Sequence, residues 1–215
     1  MNVEGREAST AAGRAAHLRH ALSLEYLTVG WNLVEGAFGV TAALMAGSVA
    51  LLGFGVDSFI ESASGLILVW RLRSESGQAS RADVDRLDDR ARRLVGVSLF
   101  LLAAYVGFEA LRSLWARERP EPSLVGLALT ACSLAVMAWL ARAKRRAASR
   151  LGSRALAADA VQTTACWWLS AIALIGLALN AAFSWWWADP VSALGMTVFL
   201  VNEGREAWNG DTCCA

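Results

Sequence analysis

The sequence predicts an all-α membrane protein with six transmembrane helices. Hydrophobic residues make up 56% of the 215 residues, above the about 45–50% that is usual for soluble domains. Charged residues make up only 18%, and the mean hydropathy is +0.41. The formal net charge of +1 excludes a generally basic nucleic-acid-binding protein.

Apolar runs between charged or glycine-containing segments supply the predicted spans. A spanning helix needs about 20 residues, with a range of roughly 17–25. Five runs reach that length, and the sixth reaches it only when the tryptophans at 185–187 are included. The runs are 22–45, 49–70, 94–115, 124–140, 155–182 and 190–202.

The same pattern divides the chain into three parts. Residues 1–21 are polar and are predicted to form a cytosolic N-terminal arm, residues 22–203 the transmembrane domain, and residues 204–215 a short cytosolic tail. The arm contains no apolar core of signal-peptide length.

The distribution of basic residues predicts the orientation. With residue 1 in the cytosol, 17 of the 20 Lys and Arg residues fall on inner segments and three outside. Lys144 is assigned to the inner segment between spans four and five, and Arg112 is the only basic residue placed within a span. Positive charge concentrates on the cytosolic side of membrane proteins, so both termini are predicted to face the cytosol. The predicted location is the inner membrane of the cell.

Two carboxylates in the second span are the first candidate functional residues. Asp57 and Glu61 are four residues apart, so both lie on one face of a helix. Each acid in a spanning helix costs about 2.5–3.5 kcal/mol on insertion scales. With no basic residue assigned nearby, they indicate a bound metal or protons; the alternative is a protonated, hydrogen-bonded structural pair.

The fifth span offers a second pair at similar depth. Gln162 and Cys166 are also four residues apart. Two helices that each present two heteroatoms can build a tetrahedral site, and carboxylate oxygen and thiolate sulfur are both zinc ligands. The alternative is that the cysteine is an inert apolar residue and the glutamine bonds a neighbouring helix.

Other polar residues in the spans form a possible auxiliary metal or proton site. Glu35 and Asn32 lie one turn apart near mid-depth in span one. They are predicted to be extra ligands, proton carriers or hydrogen-bonded structural residues. Asp159 lies near the inner end of span five. It is predicted to act as a cytosolic gate, or to be an acid that the dipole of the helix favours at its N-terminus. Glu109 and Arg112 are expected to form a salt bridge.

Two pairs outside the spans are weaker candidates. His17 and His20 lie three residues apart in the arm and are solvated or sample metal. Cys213 and Cys214 in the tail are predicted to be free thiols or an initial binding site for soft metals. The sequence has no GxSxG, GxxxxGK[ST] or HExxH motif, so an enzyme is not expected.

Three motifs resemble those of the cation diffusion facilitator family. The sequence GSVALL at 47–52, followed by DSFIE at 57–61, resembles the family's Gly-Ser-x-(Ser/Ala)-Leu-Leu and (H/D)SxxD motifs. ADAVQ at 158–162, followed by Cys166, resembles its ADxxHxxxD pattern, and Asp189-Pro190 has a parallel at the start of span six. The resemblance covers roughly residues 22–208.

This resemblance implies a metal site and a transport mechanism. Carried over residue by residue, the site consists of Asp57, Glu61, Gln162 and Cys166. The family implies six spans and a homodimer in the lipid bilayer. It also implies exchange of a divalent metal, typically zinc, for protons by alternating access. No cofactor is expected beyond the transported ion.

Departures from the family pattern leave alternatives open. Glu61 stands where the family has Asp, Gln162 where it has His or Asp, and Cys166 where it has Asp. The expected cytosolic metal-binding domain has no counterpart in residues 204–215. The alternatives are a transporter of Mn, Fe, Cu or Hg, and a membrane metal sensor or scaffold that transports nothing.

Overall fold

All regular secondary structure in the part that the structure describes is helical. The structure is a computed structural model that describes the backbone of residues 3–74 and 81–209 and the side chains of residues 16–73, 93–153 and 155–209. Its elements are α1 (Val3–Ala46), α2 (Val49–Ser74), α3 (Arg81–Ala116), α4 (Leu124–Leu151), α5 (Arg154–Phe183) and α6 (Ala188–Asn209). The predicted all-α, six-helix architecture is confirmed.

Five of these helices contain segments that are long and apolar enough to cross a membrane: 16–46, 49–73, 93–116, 124–151 and 155–183. The sixth helix, α6, has 22 residues but also contains Asp189, Glu203, Arg205 and Glu206. This charge explains why the sixth predicted span was the shortest apolar run in the sequence.

Helix boundaries differ from the predicted ones at two places. The predicted arm, residues 1–21, is continuous with the first span, because α1 begins at Val3. The fourth span was predicted to end at residue 140, but α4 continues to Leu151. Lys144 is therefore part of a helix, and its assignment to a segment between spans was wrong.

Packing places α2 at the centre of the bundle. The most extensive helix contacts are those of α1 with α2, α3 with α6, and α4 with α5. α2 also packs against α3, α5 and α6. Residues on α2 can therefore meet side chains from most of the other helices.

Two apolar clusters, one toward each end of the bundle, hold the helices together. The first contains buried residues of all helices except α4, and the second contains residues of α1, α2, α4 and α5. The first cluster includes Ala42, Leu51, Phe54, Val106, Leu169, Leu177 and Met196. The second includes Ala21, Leu24, Leu68, Leu72, Met137, Leu140 and Leu156.

Glycines allow α1 and α2 to approach each other at backbone distance. A Cβ added at Gly55 would lie 2.7 Å from the backbone nitrogen of Val40, and one at Gly39 would lie 3.1 Å from Cα of Gly55. Small residues permit such close helix contacts in membranes. This contact brings Glu35 of α1 to the level of Asp57 on α2.

The first turn of α2 is held by an acid from α6. Oδ2 of Asp189 accepts hydrogen bonds from the backbone N–H of Val49 at 2.9 Å and of Ala50 at 3.4 Å. The Ser48 hydroxyl donates to the other carboxylate oxygen. An acid at a helix N-terminus satisfies free N–H groups and complements the helix dipole. The acid predicted at the start of span six therefore anchors α2.

Candidate metal centre

A layer of buried polar side chains lies between the two apolar clusters. Each of α1, α2 and α5 carries residues of one cluster near one end, residues of the other near the opposite end, and polar residues between. The layer contains Asn32, Glu35, Asp57, Ser58, Glu61, Ser62, Thr130, Ser133, Thr163, Cys166 and Ser170. Buried polar groups in a spanning bundle are costly, so such a layer marks a functional centre.

The two acids predicted in span two face the cysteine predicted in span five. Asp57, Glu61 and Cys166 are 5%, 4% and 6% exposed. Sγ of Cys166 donates to Oδ2 of Asp57 at 3.8 Å, and Glu61 interacts with the same thiol. The structure thus brings together three of the four predicted ligands, two oxygen donors and one sulfur donor.

The fourth predicted ligand, Gln162, is bound elsewhere on α2. Its Oε1 accepts a hydrogen bond from the hydroxyl of Ser64 at 3.3 Å. Ser64 lies three residues beyond Glu61, so Gln162 is in the same α2–α5 interface, one turn away from the Asp57–Cys166 contact.

These side chains are paired with each other rather than gathered around a point. Among the side chains that the structure describes, no three His, Cys, Asp and Glu residues are close enough together to hold a metal ion. The arrangement is that of a hydrogen-bonded set, which must draw closer together to coordinate an ion.

Glu35 joins this layer through a chain of hydroxyls. Its Oε1 accepts from the hydroxyl of Ser133 at 2.9 Å, which lies 3.1 Å from the hydroxyl of Ser170. The Ser170 hydroxyl in turn donates to the backbone carbonyl of Cys166 at 2.8 Å. The predicted auxiliary acid is therefore connected to the α5 backbone at the position of the thiol.

Asn32 provides further polar atoms in the same layer. Asn32 is 0% exposed, and neither of its side-chain polar atoms, nor Oε2 of Glu35, has a hydrogen-bond partner among the described residues. Glu61 is a neighbour of Asn32. Buried polar groups are nearly always satisfied in native proteins, so the two oxygen atoms are available to water or a cation, and the amide nitrogen of Asn32 is available to water.

Asp159 is held in an ion cluster that the sequence did not predict. The ammonium of Lys144 is within hydrogen-bonding distance of a carboxylate oxygen of Asp159 and lies 3.1 Å from Oε2 of Glu25. The side chains of Lys144 and Glu25 are 0% exposed, and that of Asp159 is 10% exposed. We call these three residues the Lys144 triad.

The prediction that Arg112 is the only basic residue within a span was wrong. The candidate span 124–151 contains Lys144 and the arginines at 142, 145, 146 and 150, and among these five only Lys144 is buried. Lys144 was overlooked because it was counted with the arginines around it. The available signal was the spacing. Lys144 and Asp159 are 15 residues apart, on two helices joined by a short turn at residues 152–153. Such a turn brings residues at similar distances from it side by side.

Glu203 is a further acid that the predicted site lacked. It lies on α6, is half-buried, and interacts electrostatically with Asp57 and Glu61. It was missed because the sixth span was predicted to end at residue 202. Extending the helical pattern by one turn would have included it.

The remaining predicted residues lie away from the centre. Arg112 forms the predicted salt bridge with Glu109 at 2.8 Å and a second with Glu118 at 2.8 Å. His20 is exposed and His17 half-buried on α1. The two tail residues predicted as thiols, 213 and 214, lie outside the described residues.

Comparisons with known proteins agree with this architecture. The family profile of the cation efflux transmembrane domain matches residues 26–208. An uncharacterized transporter of Synechocystis sp. is 28% identical over 176 aligned residues, and the match covers 79% of this chain and 56% of that protein. The chain thus spans little more than half the length of that curated relative.

Proposed function

Because the chain belongs to the cation efflux family of membrane transporters, we propose that it exports a divalent transition metal, with Zn²⁺ as the preferred ion. Asp57, Glu61 and Cys166 bind the ion between α2 and α5, with Gln162 as a weaker oxygen donor. The ion is exchanged for protons by alternating access.

The observation that carries this proposal is the contact between Cys166 and Asp57 in the buried polar layer. The Cys166 thiol donates to Asp57 and interacts with Glu61. Lys144, whose charge also acts on Glu61, is bound by Glu25 and Asp159 instead. Buried charges in proteins are paired or coordinate metals. A divalent cation supplies the positive charge that this group lacks.

The donor atoms favour a borderline or soft metal. Carboxylate oxygen with one thiolate suits Zn²⁺, whereas Mg²⁺ and Ca²⁺ prefer oxygen alone. Mn²⁺, Fe²⁺, Cu and Hg²⁺ remain rival substrates, and a panel of ions separates them from Zn²⁺.

Proton exchange follows from the chemistry of the ligands. A thiol binds a metal as the thiolate and a carboxyl group as the carboxylate, so binding releases their protons. The released protons are the counter-ions of the proposed antiport. Glu35 and Asn32, with their unpartnered atoms, are the proposed auxiliary site for a proton or a ligand water.

Membrane orientation and assembly belong to the same proposal. Arg71 and Arg73 in the last turn of α2 and Arg150 in that of α4 lie at one end of the bundle, which we assign to the cytosol. Both termini then face the cytosol of the inner membrane. A homodimer is the proposed assembly, since residues 22–208 resemble a dimeric family.

The test is Zn²⁺ flux into proteoliposomes that contain the purified full chain, an internal Zn²⁺-sensitive dye and an imposed pH gradient. Asp57→Asn and Cys166→Ala should each lower the gradient-dependent flux at least about tenfold, because ligand losses exceed typical outer-shell effects. Cys132→Ala is the matched control, since Cys132 is an exposed free thiol. Equal flux in Cys166→Ala and Cys132→Ala would contradict the proposed site.

The second candidate is a metal sensor or scaffold that keeps the fold. The bond from Ser64 to Gln162 favours it, because this bond occupies the oxygen of a predicted ligand. A sensor would bind Zn²⁺ in equilibrium dialysis and lose binding in Asp57→Asn, with no flux in either protein. A scaffold would show neither binding nor flux.

A further inference from the structure

The Lys144 triad has a composition that sets it apart from the rest of the chain. Lys144 is the only lysine in the sequence, and every other basic side chain apart from the two histidines is an arginine. It is also the largest fully buried side chain of the described residues. A lysine ammonium is a compact point charge, whereas a guanidinium is a broad planar group.

The triad surrounds its ammonium as a metal site surrounds an ion. Lys144 of α4 reaches Glu25 of α1 and Asp159 of α5, so oxygen atoms from two further helices converge on one cation. Two carboxyl groups thus share one ammonium, whose single charge balances one carboxylate. The second carboxyl group keeps its proton or receives a further cation.

One carboxylate oxygen of the two acids also lacks a hydrogen bond within the described part of the chain. Oε1 of Glu25 has no hydrogen-bond partner among the described residues, although Glu25 is 0% exposed. Leaving a fully buried carboxylate oxygen without a partner costs free energy. A metal ion, which binds several ligands at once, could use this oxygen as one of them.

The triad lies between the metal centre and the end of the bundle that we assign to the cytosol. Asp159 precedes Cys166 by seven residues, or about 10 Å along α5 at about 1.5 Å per residue. On α2, a Cβ added at Gly65 would lie 3.9 Å from Oε2 of Glu25, and Gly65 is one turn beyond Glu61. The triad is thus one to two turns from the centre.

We propose that Glu25 and Asp159 form a second cation-binding site, for a divalent metal ion, whose resident cation is the ammonium of Lys144. The proposal rests on the proposed function, since the ion is the transported metal on its path between the cytosol and the centre. Lys144 occupies the site as a tethered competitor, and a metal ion binds there by displacing the ammonium. The oxygen-only ligands make this second site less selective than the centre with its thiol.

The test is Zn²⁺ binding to the purified full chain by equilibrium dialysis. In Lys144→Gln the competitor is absent, so a second Zn²⁺ should bind per chain with an apparent Kd at least tenfold lower than in the wild type. Lys144→Gln/Glu25→Gln should lose this second ion, and Lys144→Arg, which retains the cation, should bind as the wild type does. Identical isotherms for Lys144→Gln and the wild type would overturn the proposal.

Failure of this proposal is distinguishable from failure of the metal centre. The centre is tested by loss of the first ion in Asp57→Asn, and the second site by gain of an ion in Lys144→Gln that depends on Glu25. The two readouts differ in sign, a lost ion and a gained ion, so they are told apart although the charge of Lys144 also acts on Glu61.

A second measurement applies if Lys144→Gln does not fold. Since the wild type has one lysine, reductive methylation modifies Lys144 and the N-terminal amine alone, and mass spectrometry separates the two peptides. Increasing Zn²⁺ should raise methylation of Lys144 several-fold relative to the N-terminal amine, because the displaced ammonium leaves its carboxylates. A ratio that does not change up to millimolar Zn²⁺ would overturn the proposal.

Discussion

The metal centre and the Lys144 triad are two buried acidic groups in one bundle, and they differ in their positive charge. The centre pairs Asp57 with a neutral thiol, Cys166, whereas the triad pairs Glu25 and Asp159 with an ammonium. Both exclude water almost completely. The difference indicates that the triad is stabilised by a cation of the chain itself, while the centre is left to receive a cation from outside.

This contrast predicts opposite responses to the loss of charge. Lys144→Met leaves two buried carboxylates without a partner, so it should lower the free energy of unfolding by about 3–5 kcal/mol. Asp57→Asn removes an acid that has no ion pair and should leave stability unchanged or raise it. Thermal unfolding in detergent measures both.

The matched control for this prediction is Lys144→Arg, which keeps the positive charge in a different shape. It should recover most of the stability that Lys144→Met loses. If Lys144→Met and Asp57→Asn unfold at the same temperature, the contrast between the two acidic groups is wrong.

The contrast is sharpened by changing the donor atom in the centre. Cys166→Asp replaces a sulfur ligand by an oxygen ligand. The ratio of Zn²⁺ affinity to Mn²⁺ affinity should therefore fall about tenfold, which corresponds to about 1.4 kcal/mol. Competition dialysis with both ions measures the ratio. Cys132→Asp is the control, and the same fall in that variant would show that the thiol is not the cause.

A smaller effect is expected at the start of α2, outside both acidic groups. Asp189→Ala removes the acceptor of two backbone N–H groups and of the Ser48 hydroxyl. Loss of a helix cap costs typically about 1 kcal/mol, so the unfolding temperature should fall by a few degrees. Because α2 carries Asp57 and Glu61, Zn²⁺ affinity should weaken as well; a loss of stability with full affinity would show that the cap does not position the centre.

The smallest effect is expected at an exposed ion pair. The side chain of Arg112 is 49% exposed in its salt bridges with Glu109 and Glu118, and surface pairs contribute about 0–1 kcal/mol. Arg112→Ala should leave both unfolding temperature and Zn²⁺ flux close to those of the wild type. A large change in either quantity would mean that an exposed ion pair matters as much as the buried one, and that burial does not predict the contribution of an ion pair in this protein.

Much of the fold was predictable because the membrane limits the choices. Apolar runs of about 20 residues predict spanning helices directly, and all six helices are present. The resemblance to the cation diffusion facilitator family is confirmed by the match over residues 26–208. The i, i+4 pairs that placed Asp57 and Glu61 on one face needed only helical periodicity.

The sequence could not reveal which polar residues meet across helices. Asp159 was predicted as a gate or a dipole-favoured acid because its partner, Lys144, was counted among the arginines that set topology. Gln162 was predicted as a ligand from its spacing to Cys166, but its partner in the structure is Ser64. The metal identity, proton coupling and dimer remain predictions that flux and binding experiments test.

The amino-acid sequence by itself determined the number and character of the helices and the acids that they bury, because apolar length and helical period are local properties. Tertiary structure alone decided which acids are neutralised from within. Whether a buried carboxylate has an ammonium beside it depends on how α1, α4 and α5 pack, and that packing separates the Lys144 triad from a centre with no ion pair of its own.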